Sequence, residues 1–195
     1  MTPLMTRAFA VCLATAFALG GAAAALMFLP DYRSERGGAQ ASATSPRWSE
    51  VAWPFPMDEW GRGVAFRCTA ADCGTEVNLY LRAKIGFCNC ATGVADDEEL
   101  DRLSDFGFLG PAPAPLGAGH PIRVAWMTGR ARAFALGTPG RTGRAAISAA
   151  FNDGCDAVVA TVVSAHERAE AIEPRVLEFL NGATVKRWTQ TALGL

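Results

Sequence analysis

Cysteine is the residue type here whose spacing could carry chemistry. The chain of 195 residues has six, and five of them, Cys68, Cys73, Cys88, Cys90 and Cys155, lie beyond the N-terminal region. Cys68 and Cys73 are spaced C-x4-C, and Cys88 and Cys90 are spaced C-x-C. Tetrahedral zinc takes four thiolate or imidazole ligands, usually in pairs spaced C-x(2–4)-C, and only the first pair has that spacing. Structural disulfides are the favoured reading, because exported chains keep them. A turn after the first strand of the pair brings Cys68 to Cys73. Cys155, at a hairpin, then meets Cys88 or Cys90 across a sheet, and one thiol is left over. A C-x-C pair beside a third cysteine supports disulfide exchange or copper(I) binding by soft thiolates. Arg82 and Lys84 share the face of Cys88 and Cys90 if strand alternation runs unbroken, and their charge would lower the thiol pKa. A bulge at Gly86 would reverse that facing.

Other reactive groups are sparse. His120 and His166 are the two histidines, and neither has Ser, Cys or Asp at a recognisable catalytic spacing, so each reads as a solvated side chain. The acidic run Asp96–Glu99 lacks the alternating ligands and sixth-position glycine of a calcium loop, and reads as a helix N-terminus. Arg130, Arg132, Arg141 and Arg144 read as a solubilising face rather than an anion site. Trp48, Trp53, Phe55 and Trp60 read as core or edge cover. No catalytic residue and no resident cofactor is expected. Zinc or copper at the cysteines remains the alternative.

The elements that must position these groups follow from periodicity. Val64–Cys68 reads as a strand and Thr69–Gly74 as a turn. Val77–Phe87 alternates apolar with polar residues, which predicts a strand with one face in the core and the other toward solvent or a partner. Asp96 and Glu99 form a capping box for a helix that buries Leu100 and Leu103. Gly107 and the prolines 111, 113 and 115 end it. Ile122–Met127 reads as a strand, Thr128-Gly129 as its turn, and Arg130–Leu136 as the return. Arg144–Phe151 presents Ala145, Ile147, Ala149 and Phe151 on one face. Asn152-Asp153-Gly154 signals a hairpin. Cys155–Val163 is apolar and β-branched enough to be central. A last helix starts at Glu173-Pro174, with proline in its first position, and Gly182 stops it. Val185 and Trp188 pack the tail back. The sum is an α+β domain over residues 48–195: a mainly antiparallel sheet with two or three helices on one face.

Before that domain, Ala8–Leu29 carries no charge and follows Arg7. A secretory core needs roughly 7–15 apolar residues and a spanning helix roughly 20, so residues 1–30 read as a signal peptide or membrane anchor. The run sits at spanning length, and Gly20-Gly21 with Ala22–Ala25 offers a cleavage region. Arg33, Arg36 and Arg47 after the span oppose a strict positive-inside orientation. Cys12 follows valine, which disfavours a lipid anchor there. Residues 31–47 hold no apolar period and read as a flexible linker. A net charge of −1 excludes nucleic acid as a bulk electrostatic partner. Only Lys84 and Lys186 among 18 basic residues are lysine, a composition that fits a GC-rich genome.

The stretch FRCTAADCGTEVNLYLRAKIGFCNC followed by TGVADDEELDR resembles a set of uncharacterised exported cysteine-containing proteins from GC-rich Gram-negative bacteria, over Trp53–Trp188. The element order is loosely similar to lipoprotein domains related to the photosystem accessory protein PsbP. The resemblance implies an α+β fold and no catalytic residue. Together these readings give a periplasmic accessory or binding domain, held at the inner membrane through residues 8–29 or secreted if cleaved, with another envelope protein as partner. The alternative is a thiol-redox or copper-handling protein using Cys88 and Cys90.

Overall fold

The computed structural model describes residues 46–87, 89–110, 113–137, 144–165 and 168–195. The anchor reading for residues 8–29, most of the linker, and Cys12, Cys88, Arg141 and His166 lie outside them. Among the described residues eight strands form one sheet: β1 (Trp48–Val51), β2 (Val64–Cys68), β3 (Val77–Lys84), β4 (Ala114–Pro115), β5 (His120–Val124), β6 (Met127–Leu136), β7 (Arg144–Asp153) and β8 (Asp156–Ser164). The order is β1-β2-β3-β8-β7-β6-β4, with β5 also pairing β6, and every pairing is antiparallel. The helices are α1 (Ala70–Cys73), α2 (Asp97–Leu103), α3 (Ala169–Leu180) and α4 (Ala183–Leu193), with a 3₁₀ turn at Phe106–Leu109. The α+β class and the antiparallel sheet agree with the sequence reading. Among the described residues no helix is long and apolar enough to cross a membrane.

The helices do not lie on one face, as expected, but on both. On one side Phe66, Leu79, Leu81, Ile147, Phe151, Val158, Ala160 and Val162 pack with Ile172, Val176 and Leu180 of α3 and Val185 and Leu193 of α4. On the other, Leu100 and Leu103 of α2 pack on Ala150, Ala157 and Val159. Phe106 of the 3₁₀ turn packs on Phe134, Ala146 and Val163. The central strands were the clue. β7 and β8 are buried along nearly their whole length, and strands that alternate no polar residues must be covered twice.

Several boundaries differ from the sequence reading for physical reasons. β3 ends at Lys84 rather than Phe87, because Gly86 takes φ 68° in a turn that leaves Ile85 exposed. The turn after the first meander strand, between β5 and β6, falls at Ala125-Trp126, not Thr128-Gly129. Ala125 adopts φ 52° without being glycine, and its amide donates to the Asn181 side chain. Gly129 is a strand residue opposite Phe151, where a Cβ would run into the β7 backbone. α3 begins at Ala169, so Pro174 is inside the helix rather than at its start. Ala169, Ile172, Val176 and Leu180 form one buried stripe, and that burial outweighs the hydrogen bond Pro174 cannot make. The Thr69–Gly74 turn contains the single helical turn α1, closed by Gly74 at φ 78°. The Asp96 side chain caps α2 by accepting from the Glu99 amide at 2.8 Å, but Glu99 itself pairs with Arg102 instead of closing the box.

Candidate functional site

The segment joining β1 to β2 is a strap that crosses the α2 side of the sheet. Its prolines keep it extended, and its aromatic rings follow β3. Trp53 and Phe55 meet Tyr80 edge-on, Phe55 stacks on Phe108 at 4.9 Å, and Trp60 meets Phe87 at 4.5 Å. Gly63 permits this, since a Cβ there would overlap Trp53 and the Leu81 carbonyl. Trp48 belongs to the opposite side, stacked on Phe179.

Beneath the strap lie Arg82 and Lys84, which alternation had placed toward solvent or a partner. Both are buried, at 3% and 4% exposure, because the strap and α2 close over them. Arg82 grips Asp105 through Nε and Nη2 and donates from Nη1 to Asp58 at 2.6 Å. Lys84 Nζ donates to the Leu103 carbonyl at 2.7 Å and lies 2.9 Å from Asp105. Burial works against the Arg82 charge, but Asp105 and Asp58 more than offset it and raise its pKa further. Burial likewise pushes Asp58 up, while the hydrogen bonds from Arg82 and the Trp60 amide hold it below the ordinary carboxylate value. Arg82 and Lys84 are therefore neutralised by carboxylates and are not free to activate a thiol, as the sequence had suggested.

A cleft of about 270 Å³ opens between the strap and the 3₁₀ turn, with Trp60 and Phe108 as walls and Asp58, Arg82, Ser104 and Asp105 among its lining. The Ser104 hydroxyl reaches the Ser148 hydroxyl of β7 at 2.5 Å. Further along, Asp97 binds the Gly119 amide with both oxygens and pairs with Arg130. Arg132 spans Asp101 and the Gly117 carbonyl. The Gly119 amide, then Arg130, holds the Asp97 carboxyl below its ordinary value. Arg130 and Arg132 thus fasten a loop to α2 rather than form a solvated basic face. His120 pairs with Glu173 of α3 at 2.7 Å and is half exposed.

The cysteines separate into two classes. Cys68 and Cys73 form a disulfide that is fully buried. Cys90 and Cys155 form a second, linking the segment after β3 to the β7–β8 hairpin, with Cys90 exposed and Cys155 half-buried. Both linkages match pairings read from the sequence. The hairpin turn is where Asn152-Asp153-Gly154 placed it, with Gly154 at φ 58°, although β8 begins at Asp156. These four sulfurs are bonded to one another, so none is a thiolate ligand for zinc or copper in this state. Among the described residues no group of three or more His, Cys, Asp or Glu is arranged to hold a metal ion. Two disulfides fit an oxidising, extracytoplasmic compartment.

The cleft and the exposed disulfide are neighbours through one segment. Phe87 packs on Trp60, and its carbonyl accepts from Arg102 at 2.7 Å. Three residues later Cys90 is bonded to Cys155. Sequence reading named these cysteines but missed Asp58, Ser104, Asp105 and Phe108. The signal for them was two cations at alternate positions of a strand with a buried opposite face, which demands carboxylates from whatever covers it. Neither a search of family models nor a search of curated proteins finds a match to this chain.

Proposed function

We propose that this chain is an exported accessory domain that binds another envelope component, tethered to the inner membrane through residues 8–29 and facing the periplasm. The observation that carries the reading is the cleft under the strap. It is aromatic-walled and lined by Asp58, Arg82 and Asp105 of the buried ion cluster. Few preformed polar contacts among aromatic surfaces are what small recognition sites use. The surface disulfide supports the compartment. Residues 31–47 supply reach between membrane and domain.

The test is photocrosslinking in intact cells. A crosslinking residue at Met57, exposed on the strap, should give one discrete adduct with an envelope component. A residue at Lys186 on α4, remote from the strap, should not. Identical adducts from both positions, or none from Met57 in folded protein, would overturn the reading.

A second reading, thiol-redox accessory chemistry, is favoured by one observation: the exposed disulfide involves Cys90, two residues from Cys88. Copper(I) handling by Cys88 and Cys90 belongs to the reduced form of the same site, since Cys90 must first regain its thiolate.

A further inference from the structure

The Cys90–Cys155 disulfide sits at one end of the sheet between two exposed apolar side chains. Trp126, in the β5–β6 turn, is 38% exposed, and its Nε1 donates to Asp153 at 2.9 Å. Ile85, in the turn after β3, is 55% exposed, and the adjacent Gly86 amide donates to Asp156 at 2.7 Å. Asp153 and Asp156 flank Cys155 on either side. Trp126 and Ile85 are thus fastened to the hairpin that carries the disulfide. Elsewhere in the chain the second disulfide, Cys68–Cys73, is sealed in the core. Thiol–disulfide exchange requires in-line approach of a thiolate to a sulfur, so access separates the two bonds sharply.

We infer that Cys90–Cys155 is an exchange site for a dithiol protein of the C-x-x-C class, which docks on Trp126 and Ile85 and attacks the Cys90 sulfur. This rests on the thiol-redox reading of the domain and names its partner class. The partner's first thiolate bonds to Cys90 Sγ, the Cys90–Cys155 bond breaks, and Cys155 leaves as a thiolate that takes a proton from water. The partner's second thiol then loses its proton and displaces Cys90 from the mixed disulfide. Two electrons pass to this chain, Cys90 and Cys155 end as thiols, and the partner ends as a disulfide. The reverse sequence reoxidises the site. Cys90 is the point of attack because it is exposed while Cys155 is half-buried. Reduction would remove the covalent link between the segment carrying Phe87 and the hairpin, leaving the hydrogen bonds from the Gly86 amide to Asp156 and from the Val94 amide to Asn152 as its ties.

The experiment uses the detergent-solubilised full chain and a C-x-x-C oxidoreductase whose second active-site cysteine is serine, so that the mixed disulfide is trapped. The expected result is one adduct, mapped by mass spectrometry to Cys90, with Cys68–Cys73 intact. Ile85→Ser with Trp126→Ser should slow adduct formation about tenfold, the scale of losing one well-packed interface anchor, while leaving reduction by dithiothreitol unchanged. An adduct on Cys155, Cys68 or Cys73, no adduct at all, or equal slowing toward protein and dithiothreitol would overturn the inference. A Cys88→Ser arm separates this from the parent reading. An adduct that persists there supports exchange at Cys90 while removing Cys88 as a participant. Loss of the adduct only in that arm contradicts direct attack at Cys90.

Discussion

Removing the Asp105 carboxylate leaves Arg82 and Lys84 buried with Asp58 as their remaining acid. Breaking a buried ion cluster from one side costs roughly 3–5 kcal/mol, since the orphaned charges stay out of water. We expect Asp105→Ala to lower unfolding free energy by about that amount in urea titration. Arg82→Met, Lys84→Met and Asp105→Leu together should cost less than Asp105→Ala alone. At Asp97 and Asp58 the folded-state pKa lies below the ordinary value. Their stabilisation is therefore complete above the unfolded carboxylate pKa of about 4 and is lost as pH falls through the lowered folded value. Thermal midpoints measured on acidification should drop less in Asp97→Asn than in wild type, because the variant has no proton to take up there. The chemistry of these residues was half legible. Arg82 and Lys84 were visible in the β3 pattern, but their burial was not, because Asp58 and Asp105 arrive from segments 24 and 23 residues away.

Periodicity read the elements well where packing and local signals agreed. Asp96 caps α2, Asn152-Asp153-Gly154 turns β7 into β8, and β8 is central. It failed where packing overrode a local rule. Glu173-Pro174 looked like a helix start, yet the stripe of Ala169 and Ile172 extends α3 past the proline. Helix-interior proline costs about 3 kcal/mol relative to alanine, offset by about 0.4–1 kcal/mol of chain entropy that alanine would restore to the unfolded state. Pro174→Ala should therefore raise stability by about 2–2.6 kcal/mol; a fall in the denaturant midpoint would mean the proline is needed for the helix's course. The β5–β6 turn at Ala125-Trp126 carried no glycine signal. It is set by a side-chain contact from Asn181, beyond the reach of any local pattern.

For the whole molecule, the two disulfides close loops of very different length, with sequence separations of 5 and 65. Chain-entropy arguments assign roughly 2 kcal/mol to the short loop and roughly 4 kcal/mol to the long one. Replacing Cys90 and Cys155 with serine should thus cost more in global stability than replacing Cys68 and Cys73, apart from the packing lost with the buried pair. The two-sided cover of the sheet was legible only in the near-continuous apolar runs of β7 and β8, and was obscured by the clean alternation of β3.

Export is the claim on which the proposed function depends, and disulfide mapping of protein taken from its native cells, with thiols blocked at lysis, tests it most directly. The account predicts peptides linked Cys68–Cys73 and Cys90–Cys155. Recovery of all four as blocked free thiols would contradict it, because it would place the domain in a reducing compartment.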